Sequence, residues 1–159
     1  GASNVYMTEV QPGRLKRLKQ LGATEAFNPI ETNLEKEILE RTDGLGVDVA
    51  IDCSGIESAI NDCFTLLRKR GTYVQSGLTV EKIKVNPYDW AYKDLNMVGV
   101  WCYYTYDFPK IINLIQDGKF PVEKIVTSTI RVDDVVEKGF KILTEDKEGK
   151  ELKIQISFE

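Results

Sequence analysis

Between residues 5 and 76, short apolar runs stopped by glycine or proline alternate with amphipathic runs of helical period. Val5-Tyr6-Met7-Thr8 stops at Glu9 and the break Gln11-Pro12-Gly13; Leu15, Leu18 and Leu21 then share a helix face before Gly22 ends it. Glu25-Ala26-Phe27-Asn28 is a second short strand closed by Pro29. Thr32 or Asn33 can cap the next helix, which carries Leu34, Ile38 and Leu39 and ends at Thr42-Asp43-Gly44-Leu45-Gly46. The apolar run 47–53 reads as a central strand covered on both faces. Ser54-Gly55 turns into a helix with Ile56, Ile60, Phe64 and Leu67 on one side, and Arg68-Lys69-Arg70 suits its negative end. Gly71 opens a strand over 72–76. Strands and helices spaced this closely call for a parallel sheet with right-handed crossovers, so the class is α/β.

Beyond Gly77 the pattern loosens. A brief alternating strand is expected over 82–85, a short helix over 88–94 and a buried-type strand over 95–101. An amphipathic helix follows from Asp107 to the Asp117-Gly118 stop. Ile125-Val126-Thr127 is a strand candidate, 132–143 a helix opened by Asp133-Asp134, and 152–156 a half-buried final strand.

Composition removes several classes of function. A formal charge of -4, with basic residues scattered, argues against a nucleic-acid surface, and no apolar run approaches the roughly 18 residues of a membrane span. Cys53, Cys63 and Cys102 form no CxxC pair, so neither a disulfide framework nor a zinc cluster is indicated, and reduced thiols in a cytoplasm fit best. The chain has no histidine, which removes the usual general base near neutral pH and the commonest zinc ligand.

Two groups of residues are candidates for a site. Glu9 ends the first strand, where an acid of a dinucleotide-binding fold accepts the adenosine ribose hydroxyls, and it would repel the extra phosphate of NADP; Arg14 opens the next helix and can bond the same ribose. Equally, Glu9 and Arg14 can be a solvated loop acid and a surface base. The second group is the strand-end turns Cys53-Ser54-Gly55 and Ser76-Gly77-Leu78, since ligands of open α/β sheets lie beyond the carboxyl ends of the strands. Their glycines can as well serve tight turns alone. Cys53 and Cys63 read as structural thiols, with no histidine to activate them. Asp52 either serves the site or bonds a neighbouring backbone N–H. The cluster Trp101-Cys102-Tyr103-Tyr104-Thr105-Tyr106 reads as packing and interface.

The runs Asn4-Val5-Tyr6-Met7-Thr8-Glu9, Leu21-Gly22-Ala23-Thr24, Thr42-Asp43-Gly44-Leu45-Gly46-Val47-Asp48-Val49, Cys53-Ser54-Gly55, Gly71-Thr72-Tyr73-Val74 and Val98-Gly99-Val100-Trp101, with Asp107-Phe108 and Asp117-Gly118-Lys119, carry a resemblance. In this order and spacing they resemble the C-terminal, NAD-binding half of the zinc-containing medium-chain alcohol dehydrogenases, in particular the butanediol and sorbitol dehydrogenase branch. The resemblance implies a Rossmann-type doubly wound parallel sheet, truncated at its N-terminus because the first strand and the Gly-rich phosphate turn are missing. Losing a strand that is central in the order 3-2-1-4-5-6 should open the sheet. It implies a partial dinucleotide-binding domain over 1–120 and a segment over 121–159 that returns to the absent catalytic domain, leaving 152–156 without its usual partner.

By the same resemblance Glu9 and Arg14 hold the ribose, Cys53, Ser54 and Gly55 border the adenine side and the middle of the cofactor, and Ser76, Gly77 and Leu78 with Val100 and Cys102 hold the nicotinamide carboxamide. The cofactor is NAD. The catalytic zinc and its ligands belong to the part of the family outside this chain, so no residue here is expected to be catalytic or to bind metal. The implied reaction is hydride transfer between a secondary alcohol, diol or polyol and NAD, with the isolated piece inactive. The edge 95–101 is expected to pair with a second copy. Two alternatives stand beside this reading: a non-catalytic dimerisation or regulatory module, and a methyltransferase-like nucleotide fold.

Overall fold

The computed structural model describes residues 1–158, so the last residue of the expected 121–159 segment lies outside the described residues. Contacts group the chain into two compact units, 33–103 and the remainder. Each is built of parallel strands and helices, the α/β class read from the alternation. The strands form separate sheets in the orders β1-β2, β3-β4-β5 and β6-β7, so β1 and β3 each keep one unpaired edge.

In the unit of residues 33–103, helix α2 (Leu34–Arg41) is capped by Asn33, whose side chain accepts from the Lys36 N–H. Strand β3 (Val47–Asp52), helix α3 (Glu57–Leu66), strand β4 (Leu67–Gln75), helix α4 (Pro87–Lys93) and strand β5 (Asn96–Gly99) follow. All pairings are parallel, with Ala50 opposite Tyr73 and Val74 opposite Val98. The core is Ile60, Phe64, Leu67 and Tyr73, with Phe64 packed on both Tyr73 and Trp90 at ring centroids 4.7 and 5.5 Å apart. Burial of each such side chain contributes about 1.5–3 kcal/mol.

Four expectations need correction here. β3 is not central: β4 is, and Val49 and Ile51 of β3 are 52% and 58% exposed because one edge and part of its surface go uncovered. α3 stops at Leu66, and Arg68-Lys69-Arg70 lie in a bulged lead-in of β4, where Arg68 pairs with Asp48 and Arg70 with Asp94. The carbonyls at the end of α3 are satisfied instead by Lys93 of α4, whose Nζ donates to Phe64, Thr65 and Leu67 at 2.6–2.8 Å. No strand forms over 82–85; Ile83 and Val85 pack against the core from a segment without ladder partners. β5 is exposed along its whole length rather than buried, as befits an edge.

In the other unit, β1 (Tyr6–Thr8) pairs with β2 (Glu25–Phe27), flanking helix α1 (Pro12–Leu18) and a 3-10 turn, Lys19–Leu21, closed by Gly22 at φ +106°. Later come helix α5 (Asp107–Gln116), the one-turn α6 (Val122–Ile125), β6 (Val126–Arg131), and β7 (Lys153–Ser157). β7 pairs in parallel with β6, with Ile130 opposite Ile156. The single helix expected over 132–143 is broken into a 3-10 turn, Val132–Asp134, a π turn, Val135–Phe140, and helix α7, Lys141–Glu145. Three valines and a glycine in this stretch are weak helix formers, and Gly139 is buried against Ile130, where a Cβ would come within 3.3 Å. α5 forms as expected, yet buries none of its residues.

Candidate functional site

Glu9 stands at the end of β1 because its N–H continues the ladder to the Phe27 carbonyl at 3.0 Å. Its carboxylate turns towards the start of α1, where Oε1 accepts the Val10 and Gln11 N–H groups at 2.8 and 2.9 Å. The turn that leads into the helix therefore fixes the acid, and Oε2 carries no hydrogen bond among the described residues. A half-buried carboxylate with one oxygen anchored and one open suits a vicinal diol.

Arg14 does not join it. The guanidinium donates from Nε and Nη2 to the Glu151 carbonyl at 3.3 and 3.1 Å. The loop 146–151 seals this end of α1: Gln11 donates to the Asp146 carbonyl, and the Gly13 N–H donates to that of Glu148. Asp146 in turn collects loop N–H groups, which hold its carboxyl below the usual range.

The strand-end turns of the 33–103 unit come together as one structure built on Asp52, whose residue surface is only 2% exposed. Oδ1 accepts from the Ser54 N–H and hydroxyl at 3.1 and 2.8 Å; Oδ2 accepts from the Gly55 N–H at 2.8 Å and the Gln75 amide at 2.6 Å. The Asp52 carbonyl receives the N–H groups of Ser76 and Gly77 at 2.9 and 2.8 Å. Asp52 is thus the partner of neighbouring N–H groups, one of the two roles its position allows.

Both glycines are required by protein backbone. Gly55 holds φ +70° and a Cβ there would run into Leu78, while a Cβ on Gly77 would overlap Gly55 N and Asp52 Oδ2. Leu78 itself is 68% exposed beyond this junction, and Ser76 is exposed beside it. Val100 extends the β4–β5 ladder through its N–H to the Gln75 carbonyl at 2.9 Å, and Cys102 follows in an exposed turn at φ +52°.

Cys53 is exposed next to Asp52; burial first, and the Asp52 charge second, push its thiol up, away from a nucleophile. Cys63 is pushed up to about 12, mainly by burial. Tyr73 and Gln75 were not among the candidates read from the sequence. Their signal was the period of two along 72–76, which puts both on one face of β4 and ends that face with a polar amide. Among the described residues no group of three or more carboxylates, cysteines or histidines is placed to hold a metal ion. Among the described residues no helix is long and apolar enough to cross a membrane.

An acid ending one parallel strand, and glycine turns beyond the carboxyl ends of others, are each features found in α/β folds of the dinucleotide-binding kind. The model of the zinc-binding dehydrogenase family matches residues 1–117, and the chain belongs to that family. It is 34% identical over 161 residues to the D-xylulose reductase A of Aspergillus niger, covering 99% of this chain and 44% of the relative. With the (R,R)-butanediol dehydrogenase of Bacillus subtilis it shares 31% over 148 residues, 92% of this chain and 42% of that one.

The crystal structure of 2R,3R-butanediol dehydrogenase from Bacillus subtilis superposes with a TM-score of 0.88 at 30% identity, over 98% of this chain and 44% of that chain. An alcohol dehydrogenase of Escherichia coli complexed with NADH has the same fold, with a TM-score of 0.88 at 23% identity, over 99% of this chain and 45% of that one. The chain spans less than half the length of the relatives it matches. Its matches lie in the C-terminal, cofactor-binding half of these dehydrogenases, so the Rossmann-type fold expected from the sequence holds.

Proposed function

We propose that this chain is the cofactor-binding portion of an NAD-dependent, zinc-containing dehydrogenase acting on a secondary alcohol, diol or polyol. The observation that carries it is Glu9, anchored through Oε1 and open at Oε2 at the end of β1. That oxygen accepts a ribose hydroxyl, and its charge opposes the 2′-phosphate of NADP. Arg14 then acts on the ribose side only after leaving the Glu151 carbonyl, so its contribution is the smaller.

The turns Cys53-Ser54-Gly55 and Ser76-Gly77-Leu78, with Val100 and Cys102, present backbone and small side chains to the cofactor. When bound, NAD accepts the hydride. This chain's residues bind and orient it. The zinc ligands lie outside the chain, and the portion alone does not turn over substrate. A diol or polyol substrate is supported by the similarity to a butanediol dehydrogenase of Bacillus and a D-xylulose reductase of Aspergillus. The exposed edge strand β5 supports pairing with a second copy, and three unpaired cysteines support a reducing, cytoplasmic setting.

Calorimetric titration of the chain with NADH, beside an assay for NAD reduction with a diol and added zinc, tests this. Binding without turnover is expected. Turnover by the chain alone would contradict the division of labour, and absence of binding would favour the dimerisation or regulatory alternative.

A further inference from the structure

We propose that Tyr73 and Gln75 are a positioning pair that presets the two ligand-facing turns from within the core; the ligand-facing part of this rests on the cofactor reading above. Gln75 Nε2 donates to Asp52 Oδ2 at 2.6 Å and to the Gly77 carbonyl at 2.7 Å, joining the turn after β3 to the turn after β4. Its Oε1 accepts the Tyr73 hydroxyl. Asp52 Oδ2, which also accepts the Gly55 N–H, and the Gly77 carbonyl both act as acceptors here, so Gln75 shows them its NH2 group. Turned over, Oε1 would face two acceptors and the Tyr73 hydroxyl would lose its acceptor.

Tyr73 thereby completes the network, its hydroxyl donating to the Gln75 Oε1 that the two acceptors leave facing the core. It is 3% exposed, packs on Phe64, and is raised in pKa chiefly by burial, so its proton stays in place. The chain of contacts runs from the aromatic core through Tyr73, Gln75 and Asp52 to the N–H groups of Ser54 and Gly55 and the carbonyl of Gly77. Neither residue needs to touch a ligand. Their effect is on the turns, whose backbone is ordered before a ligand arrives and therefore costs less to order on binding.

Backbone hydrogen exchange followed by NMR tests the pair on the whole chain. In Tyr73→Phe the Gly55 and Gly77 amides should exchange about tenfold faster, the scale of one lost buried hydrogen bond, while Ile60 and Leu67 amides keep their protection. NADH affinity should fall by a similar factor. Gln75→Ala should reproduce both effects. Unchanged exchange at both glycines in folded variants overturns the pair. Should both variants unfold, the unaltered chain decides: slowly exchanging Gln75 side-chain NH2 protons support the pair, and exchange at the free-solvent rate overturns it. Protected glycines in an unaltered chain that does not bind NADH overturn the cofactor reading and leave the pair standing.

Discussion

At the scale of single residues, Gly77 is the position with least freedom. A methyl group there would fall on Gly55 N and Asp52 Oδ2 and stand 2.7 Å from Ser54 N, all of them fixed atoms of one junction. Gly77→Ala should cost about 1–3 kcal/mol, read as a lower urea midpoint at unchanged slope. Cys63 and Tyr73 set the behaviour at high pH. Their folded pKa values lie above 9.0 and 10.0, so the unfolded chain releases these protons first. The stability they carry is complete below pH 9.0 and declines from there towards the Cys63 value of about 12. Urea melts at pH about 8 and about 11 should show the loss, and Cys63→Ser should reduce it.

At the scale of elements, what could be read in advance followed from local rules. The cap, expected at Thr32 or Asn33 and found at Asn33, the Gly22 stop and the strand–helix order over residues 5–76 depend on residues close in sequence, and these formed as elements. What could not be read depends on partners far away. The end of α3 looked complete with Arg68-Lys69-Arg70 beside it, yet the donor is Lys93, more than 25 residues on. Lys93→Met should weaken the chain by about 1.5–3 kcal/mol, the range for hydrogen bonds to a charged donor, while Arg70→Met, whose ion pair with Asp94 is exposed, should cost about 0–1 kcal/mol. Thermal melts of the two variants distinguish these. The apolar run of β3 likewise showed that the strand wants cover on both faces, but not which neighbours would supply it.

At the scale of the whole molecule, the parts of the candidate site were legible unequally. Glu9 was visible as an acid closing an apolar run. The bonds of its Oε1 to Val10 and Gln11, and the commitment of Arg14 to Glu151, required the fold. The turns were visible as glycines after strands, but their cause was not. Asp52 and Gln75, rather than a ligand, explain their shape. The cofactor role proposed for this chain is most exposed to test at Glu9. Calorimetric titration of the chain and of Glu9→Ala with NADH and NADPH measures it directly. The unaltered chain should prefer NADH, and Glu9→Ala should weaken NADH about tenfold while narrowing the gap to NADPH. Equal affinity for the two cofactors, or a preference that Glu9→Ala leaves untouched, would contradict the assignment.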